Sequence, residues 1–157
     1  GESNAESYFI GLLTLMIRAD AYNSLSYGFD ESFKVMGDLD IAFRLSKKWK
    51  IASSDEVLGT CRKHGNNALV LMRDQHITEF ETWINQKALE EDFFSKRSKK
   101  NLKTSLGYMK FLYFILNERR KQAIKTLFNE TFSMRTYIRC LIMIFLPLKI
   151  IKYIKND

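Results

Sequence analysis

The sequence predicts a mixed α/β region over residues 1–67, followed by a mainly helical region over residues 68–157. Three observations lead there. Tyr8 to Ile17 is an apolar run without a charge, hydrophobic on both faces as a buried strand is. Lys50–Ser53 and Val57–Cys61 add two short strand-like runs before the turn Gly65-Asn66-Asn67. From Ile77 onward, apolar residues recur at three- and four-residue steps, the period of an amphipathic helix.

Taken in order, Tyr8–Ile17 is the first strand and Arg18–Leu25 a short helix, with Gly28 closing the turn after it. Phe29–Phe33 is loop. Asp38 stands where a helix N-terminus belongs, and Ile41, Ala42 and Leu45 follow at helical spacing to about Lys48. Ile77, Phe80, Ile84 and Ala88, with Trp83 beside them, mark a long helix. Leu102, Leu106, Met109, Tyr113 and Leu116 mark the next, and Ala123, Ile124, Leu127 and Phe128 a shorter one. Thr136–Ile154 is a final apolar helix with a break at Pro147, which cannot donate a hydrogen bond inside a helix. The boundary between the two regions lies near Asn67 to Leu71, and no internal repeat is visible.

The 157 residues are 46% hydrophobic, enough for a core and against disorder. The net charge of +7 is uneven. Residues 1–90 hold 10 Lys+Arg against 13 Asp+Glu, and residues 91–157 hold 15 against 5. A basic partner surface therefore belongs to the second part. Cys61 and Cys140 show no metal-type spacing, and a reducing cytoplasmic compartment is the simplest reading. Gly1–Ser7 has no signal-peptide character. The longest late apolar run, Leu141–Leu148, falls short of the roughly 20 residues that cross a bilayer.

Two constellations carry chemistry. The first is the acidic turn of residues 28–45, in which Asp38 and Asp40 open an amphipathic segment. A carboxylate at a helix N-terminus stays ionised and suits proton abstraction or cation binding. On spacing alone, Asp38 is equally an N-cap and Asp40 a solvated first-turn residue. The second is Cys61-Arg62-Lys63-His64-Gly65-Asn66-Asn67, either a basic surface loop or an anion site in which Arg62 meets phosphate.

Gly28-Phe29-Asp30-Glu31, then Gly37-Asp38-Leu39-Asp40 running into Phe43-Arg44-Leu45-Ser46, resembles the acceptor-side motif of inverting family 2 glycosyltransferases. That motif is usually written Glu-Asp-x-Asp; Gly37 stands in place of its glutamate. The resemblance implies a GT-A fold, of which this chain would be the C-terminal portion followed by a helical tail. It also implies that Asp38 is the base toward the acceptor hydroxyl. Asp30, Glu31 and Asp40 would lie on the acceptor side, with Asp30 and Glu31 forming a turn. Asp38-x-Asp40 would not be the metal motif of that fold, because it runs straight into a helix.

Residues 61–67 resemble the same family's aromatic-Arg-x-His segment, with Cys61 in place of tyrosine and His64 lying 24 positions after Asp40. Arg62 would then neutralise the donor diphosphate, and His64 would touch the diphosphate or the metal. Thr14–Arg18 is similar to a family strand ending in arginine beside the acceptor site; alone, Arg18 is equally a surface residue at a strand end. The matches cover roughly residues 8–67.

The resemblance implies a nucleotide-sugar donor, a divalent metal (Mg or Mn), a glycan or lipid-linked acceptor, and a place in surface polysaccharide synthesis. The residues that read the base and the main metal motif would precede residue 1, so the chain alone is expected to be inactive. Residues 95–157 combine apolar faces with Lys96, Arg97, Lys99, Lys100, Lys103, Arg119, Arg120, Lys121, Arg139, Lys149, Lys152 and Lys155. Such helices suit peripheral contact with an anionic membrane, here its cytoplasmic face, or equally a subdomain with solvated lysines. No nucleic-acid motif accompanies them. The rival to an enzyme is a non-catalytic helical interaction module or peripheral membrane-binding module.

Overall fold

A computed structural model describes residues 12–60, 62, 71–88 and 94–156. Its helices are α1 (Ala19–Asn23), α2 (Gly37–Ser46), α3 (Arg73–Trp83), α4 (Lys96–Leu116), α5 (Arg120–Asn129), α6 (Met134–Phe145) and α7 (Leu148–Asn156), with one π-helical turn at Ile84–Ala88. The described residues form two compact units that divide between Trp83 and Ile84. That division falls inside the segment that the sequence reads as one helix from Ile77 to Ala88.

The expected mixed α/β, GT-A-type architecture is corrected: the chain is all-helical, with no strand or sheet among the described residues. Leu12–Thr14 is a turn, and residues 15–18 and 50–60 have no regular secondary structure apart from a bend at Glu56. Of the residues expected in buried strands, Leu15 and Ile17 are partly buried, but Met16 is 95% and Val57 92% exposed, and residues 8–11 lie outside the described residues. The two segments do approach each other, since a Cβ on Gly59 would lie 3.3 Å from Thr14 and 3.4 Å from Leu13. No ladder forms between them. Extended backbone becomes a sheet only when several neighbours satisfy its N–H and C=O groups. An apolar run thus reports a preference for burial, not the presence of strands to pair with.

In the first unit, Ala21 of α1 and Ile41 and Leu45 of α2 are buried together, with Leu15, Ile17 and Leu25 packed around them. The other side of α2 meets α3 through aromatic rings. Phe43 stands edge-on to Trp83 at 5.1 Å between centroids, and Phe80 stacks beside the same indole at 6.4 Å. The helical spacing of Ile41, Ala42 and Leu45 thus buries one stripe against α1, and Phe43 buries the adjacent one.

In the second unit, Ser95 caps α4 by accepting the Ser98 N–H at 3.1 Å. Ser133 caps α6 in the same way through Thr136. The long α4 packs against α5, α6 and α7. Their shared core is Phe111, Ile115, Ala123, Leu127, Cys140, Met143 and Ile151. Fully burying a side chain such as Phe111 or Ile151 contributes roughly 1.5–3 kcal/mol. Burial also pushes the Cys140 thiol up to about 12, against a smaller opposing pull from Arg139, so it packs as an inert apolar group.

Gly107 lets α4 approach the α5–α6 connection: a Cβ there would stand 3.0 Å from the Glu130 Cβ. Pro147 separates α6 from α7. The guanidinium of Arg120 satisfies the freed carbonyls of Ile144 and Leu146, the latter at 2.9 Å.

Candidate functional site

The site is the N-terminal turn of α2, and its geometry is imposed by α3. The residue ahead of the helix, Met36, offers no side-chain cap. The loop leading into α2 is held instead by a carboxylate from 43 to 45 positions away. Glu79 Oε1 accepts the Lys34 N–H at 3.0 Å, and Oε2 accepts those of Val35 at 2.8 Å and Met36 at 3.1 Å. Gln75 Nε2 donates to Oε1 at 2.8 Å. Burial opposes ionisation of Glu79, but these four hydrogen bonds together outweigh it and hold its carboxyl below the usual range.

Asp40 anchors the helix from within. It is fully buried, with Oδ2 paired to Arg44 Nε at 2.8 Å and Oδ1 accepting the Trp83 indole N–H at 3.3 Å. Arg44 continues the network to the turn before it, donating to the carbonyls of Tyr27 at 2.8 Å and Gly28 at 2.5 Å. Its guanidinium also covers the Tyr27 ring at 4.1 Å. Buried charge is tolerated only when paired and hydrogen-bonded, and this one is both. Asp40 therefore ties α2 to α3 and, through Arg44, to the turn at Tyr27 and Gly28.

Asp38 differs from its neighbour. It lies in the first turn of α2, half-buried, with Oδ1 accepting the Leu39 N–H at 2.8 Å. Desolvation raises its carboxyl above the ordinary value, against the backbone N–H groups of Leu39 and of Asp38 itself and the field of His76. The His76 imidazole, on α3, is half-buried. Burial lowers its pKa below the ordinary value; Glu79 and Asp38 pull it back up, and Arg73 pushes it further down. Each group thus lies in the other's field, with burial the largest influence on both.

The remaining predicted residues are less engaged. Asp30 Oδ1 accepts the Ser32 N–H at 3.1 Å and its hydroxyl at 2.6 Å, forming the expected turn. Glu31 is exposed. Arg18 is exposed at the N-cap of α1, not at the end of a strand. Arg62 is exposed, and His64 lies outside the described residues. Space exists at Gly37 for a side chain: a Cβ would meet only Phe29 Cδ1, at 3.5 Å.

Sequence reasoning missed His76, Glu79, Arg44 and Trp83 as parts of this site. Two signals were present. Arg44 follows Asp40 at the i,i+4 spacing of a helical ion pair. Glu79 falls between Ile77 and Phe80 on the buried stripe of α3, where a carboxylate needs partners. No group of three His, Cys, Asp or Glu placed to hold a metal ion occurs among the described residues, which do not include His64. No family model, curated protein or solved structure matches the chain.

Proposed function

We propose that this chain supplies the proton-accepting carboxylate of an inverting sugar transfer from a nucleotide-sugar donor to a glycan or lipid-linked acceptor. One observation carries the reading: Asp38 is a desolvated carboxylate with raised basicity in the first turn of α2, coupled to His76. Its neighbour Asp40 is consumed by structural bonds, so the two aspartates divide into base and anchor. The order of residues around Asp38 supports the substrate class, on a helical frame instead of a sheet.

The acceptor hydroxyl donates to the free side of the Asp38 carboxylate. As its oxygen bonds to the anomeric carbon, its proton passes to Asp38, and the sugar–phosphate bond breaks with its electrons leaving on the diphosphate. The raised pKa makes Asp38 a better acceptor of that proton than a solvated aspartate. Arg62 offers positive charge to the departing diphosphate.

The test is nucleoside diphosphate release by the complete gene product, across a panel of nucleotide sugars with glycan and lipid-linked acceptors. Asp38→Asn is expected to lower transfer about 10²–10⁴-fold while circular dichroism stays unchanged. Transfer at the normal rate would remove Asp38 from this role.

A further inference from the structure

Helix α6 is apolar on two faces. One face is spoken for: Thr136, Cys140 and Met143 are buried, the latter two in the core of the second unit. The other carries Met134, Ile138, Leu141, Ile142 and Phe145, a stripe at i, i+4, i+7, i+8 and i+11 that faces solvent. Phe145 is 84% exposed and Met134 76%. A surface helix needs one apolar stripe, so a second on the water side marks a contact with something apolar. Helix α7 behaves alike, burying Ile151 while leaving Ile150 and Tyr153 exposed.

Charge says what that contact is. Arg135 and Arg139, one turn apart, follow the edge of the α6 stripe, and Lys149 and Lys152 are exposed on α7. Arg135, Ile138, Arg139, Ile142, Met143 and Leu146 line one open groove of about 260 Å³, so cations and apolar carbon share a single surface. Among the described residues of this unit the acids are Glu118 and Glu130, and Glu130 is taken by Lys110 at 2.7 Å. A second copy seated on the same face would bring cations onto cations, with Glu118 the one other acid among the described residues of the unit to offset them. No helix among the described residues is long and apolar enough to cross a membrane.

From this juxtaposition we infer that α6 and α7 lie flat on an anionic lipid surface. The apolar stripe enters the acyl boundary, and Arg135, Arg139, Lys149 and Lys152 meet lipid phosphates. Arg120 closes the end of α6 at the Pro147 break, so that its freed carbonyls are not carried into lipid. The inference stands independently of the sugar-transfer reading.

Co-sedimentation of the full chain with phosphatidylcholine vesicles, with and without phosphatidylglycerol, tests it. Binding is expected only with phosphatidylglycerol, and weaker at high salt. The triple variant Arg135→Gln, Lys149→Gln, Lys152→Gln should bind roughly a hundredfold more weakly, at about fivefold per cation. Ile138→Ser with Ile142→Ser, both exposed positions, should abolish binding while helicity is retained. Absence of binding at low salt, or equal binding to neutral vesicles, overturns the inference. So does a self-association in solution that Ile138→Ser with Ile142→Ser abolishes while vesicles capture nothing.

Discussion

Replacing Glu79 with glutamine tests whether α3 builds the acidic turn. The carboxylate takes three backbone N–H groups, from Lys34, Val35 and Met36. A glutamine oxygen can keep Val35 and Met36, but its amide nitrogen then faces the Lys34 N–H, a donor against a donor. Hydrogen bonds to a charged acceptor contribute about 1.5–3 kcal/mol against roughly 0.5–1.5 for neutral ones. Two bonds weakened by about 1 kcal/mol each and one lost at about 1.5 kcal/mol give roughly 3.5 kcal/mol for Glu79→Gln. Urea unfolding followed by the fluorescence of buried Trp83 reads this directly. With a slope of about 1–2 kcal/mol/M, the midpoint falls by roughly 2–3.5 M.

The pH dependence follows from the sign of the shift. Glu79 has its pKa depressed from 4.5, so its stabilisation is complete above that value and fades as pH falls through the lower folded-state value. The gap between wild type and Glu79→Gln should therefore be full at neutral pH and shrink below about pH 4.5. A loss under about 0.5 kcal/mol, or a gap indifferent to acid, refutes the argument.

Asp40 and two glycines give further contrasts. Asp40→Ala leaves Arg44 buried without its charge partner and should cost about 3–5 kcal/mol. Thermal denaturation of that variant checks it. Gly37→Ala meets nothing closer than 3.5 Å in a helical position, so it should stabilise the first unit by about 0.4–1 kcal/mol. Gly107→Ala, with 3.0 Å to Glu130 Cβ and 3.2 Å to the Phe132 ring, should destabilise the second unit by about 1–2 kcal/mol despite the better helix former. Denaturant midpoints of the pair, moving in opposite directions, settle both.

The helices were legible because their signals are local. The stripe Ile41-Ala42-Leu45 located α2, the period from Leu102 to Leu116 located α4, and Pro147 located the break between α6 and α7. The strands were misread because a strand is not a local object. Val57 and Leu58 carry β-type patterning yet stand exposed, for no ladder receives them. The site divides likewise. Asp38 was visible from its place ahead of an amphipathic segment. That Asp40 is an anchor and Glu79 a clamp depends on contacts spanning 43 to 45 positions, which no spacing rule reveals. The exposed side of α6 was equally hidden, since apolar residues on two faces read in sequence as one apolar helix.

The central claim is that Asp38 is the working carboxylate and Asp40 its scaffold. The most direct measurement is nucleoside diphosphate release by the complete gene product, with wild type and Asp38→Asn compared at equal thermal stability. The account predicts that Asp38→Asn keeps its fold, relieved of a desolvated charge, and loses transfer. Wild-type protein that transfers no sugar, or Asp38→Asn that transfers as well as wild type, contradicts it.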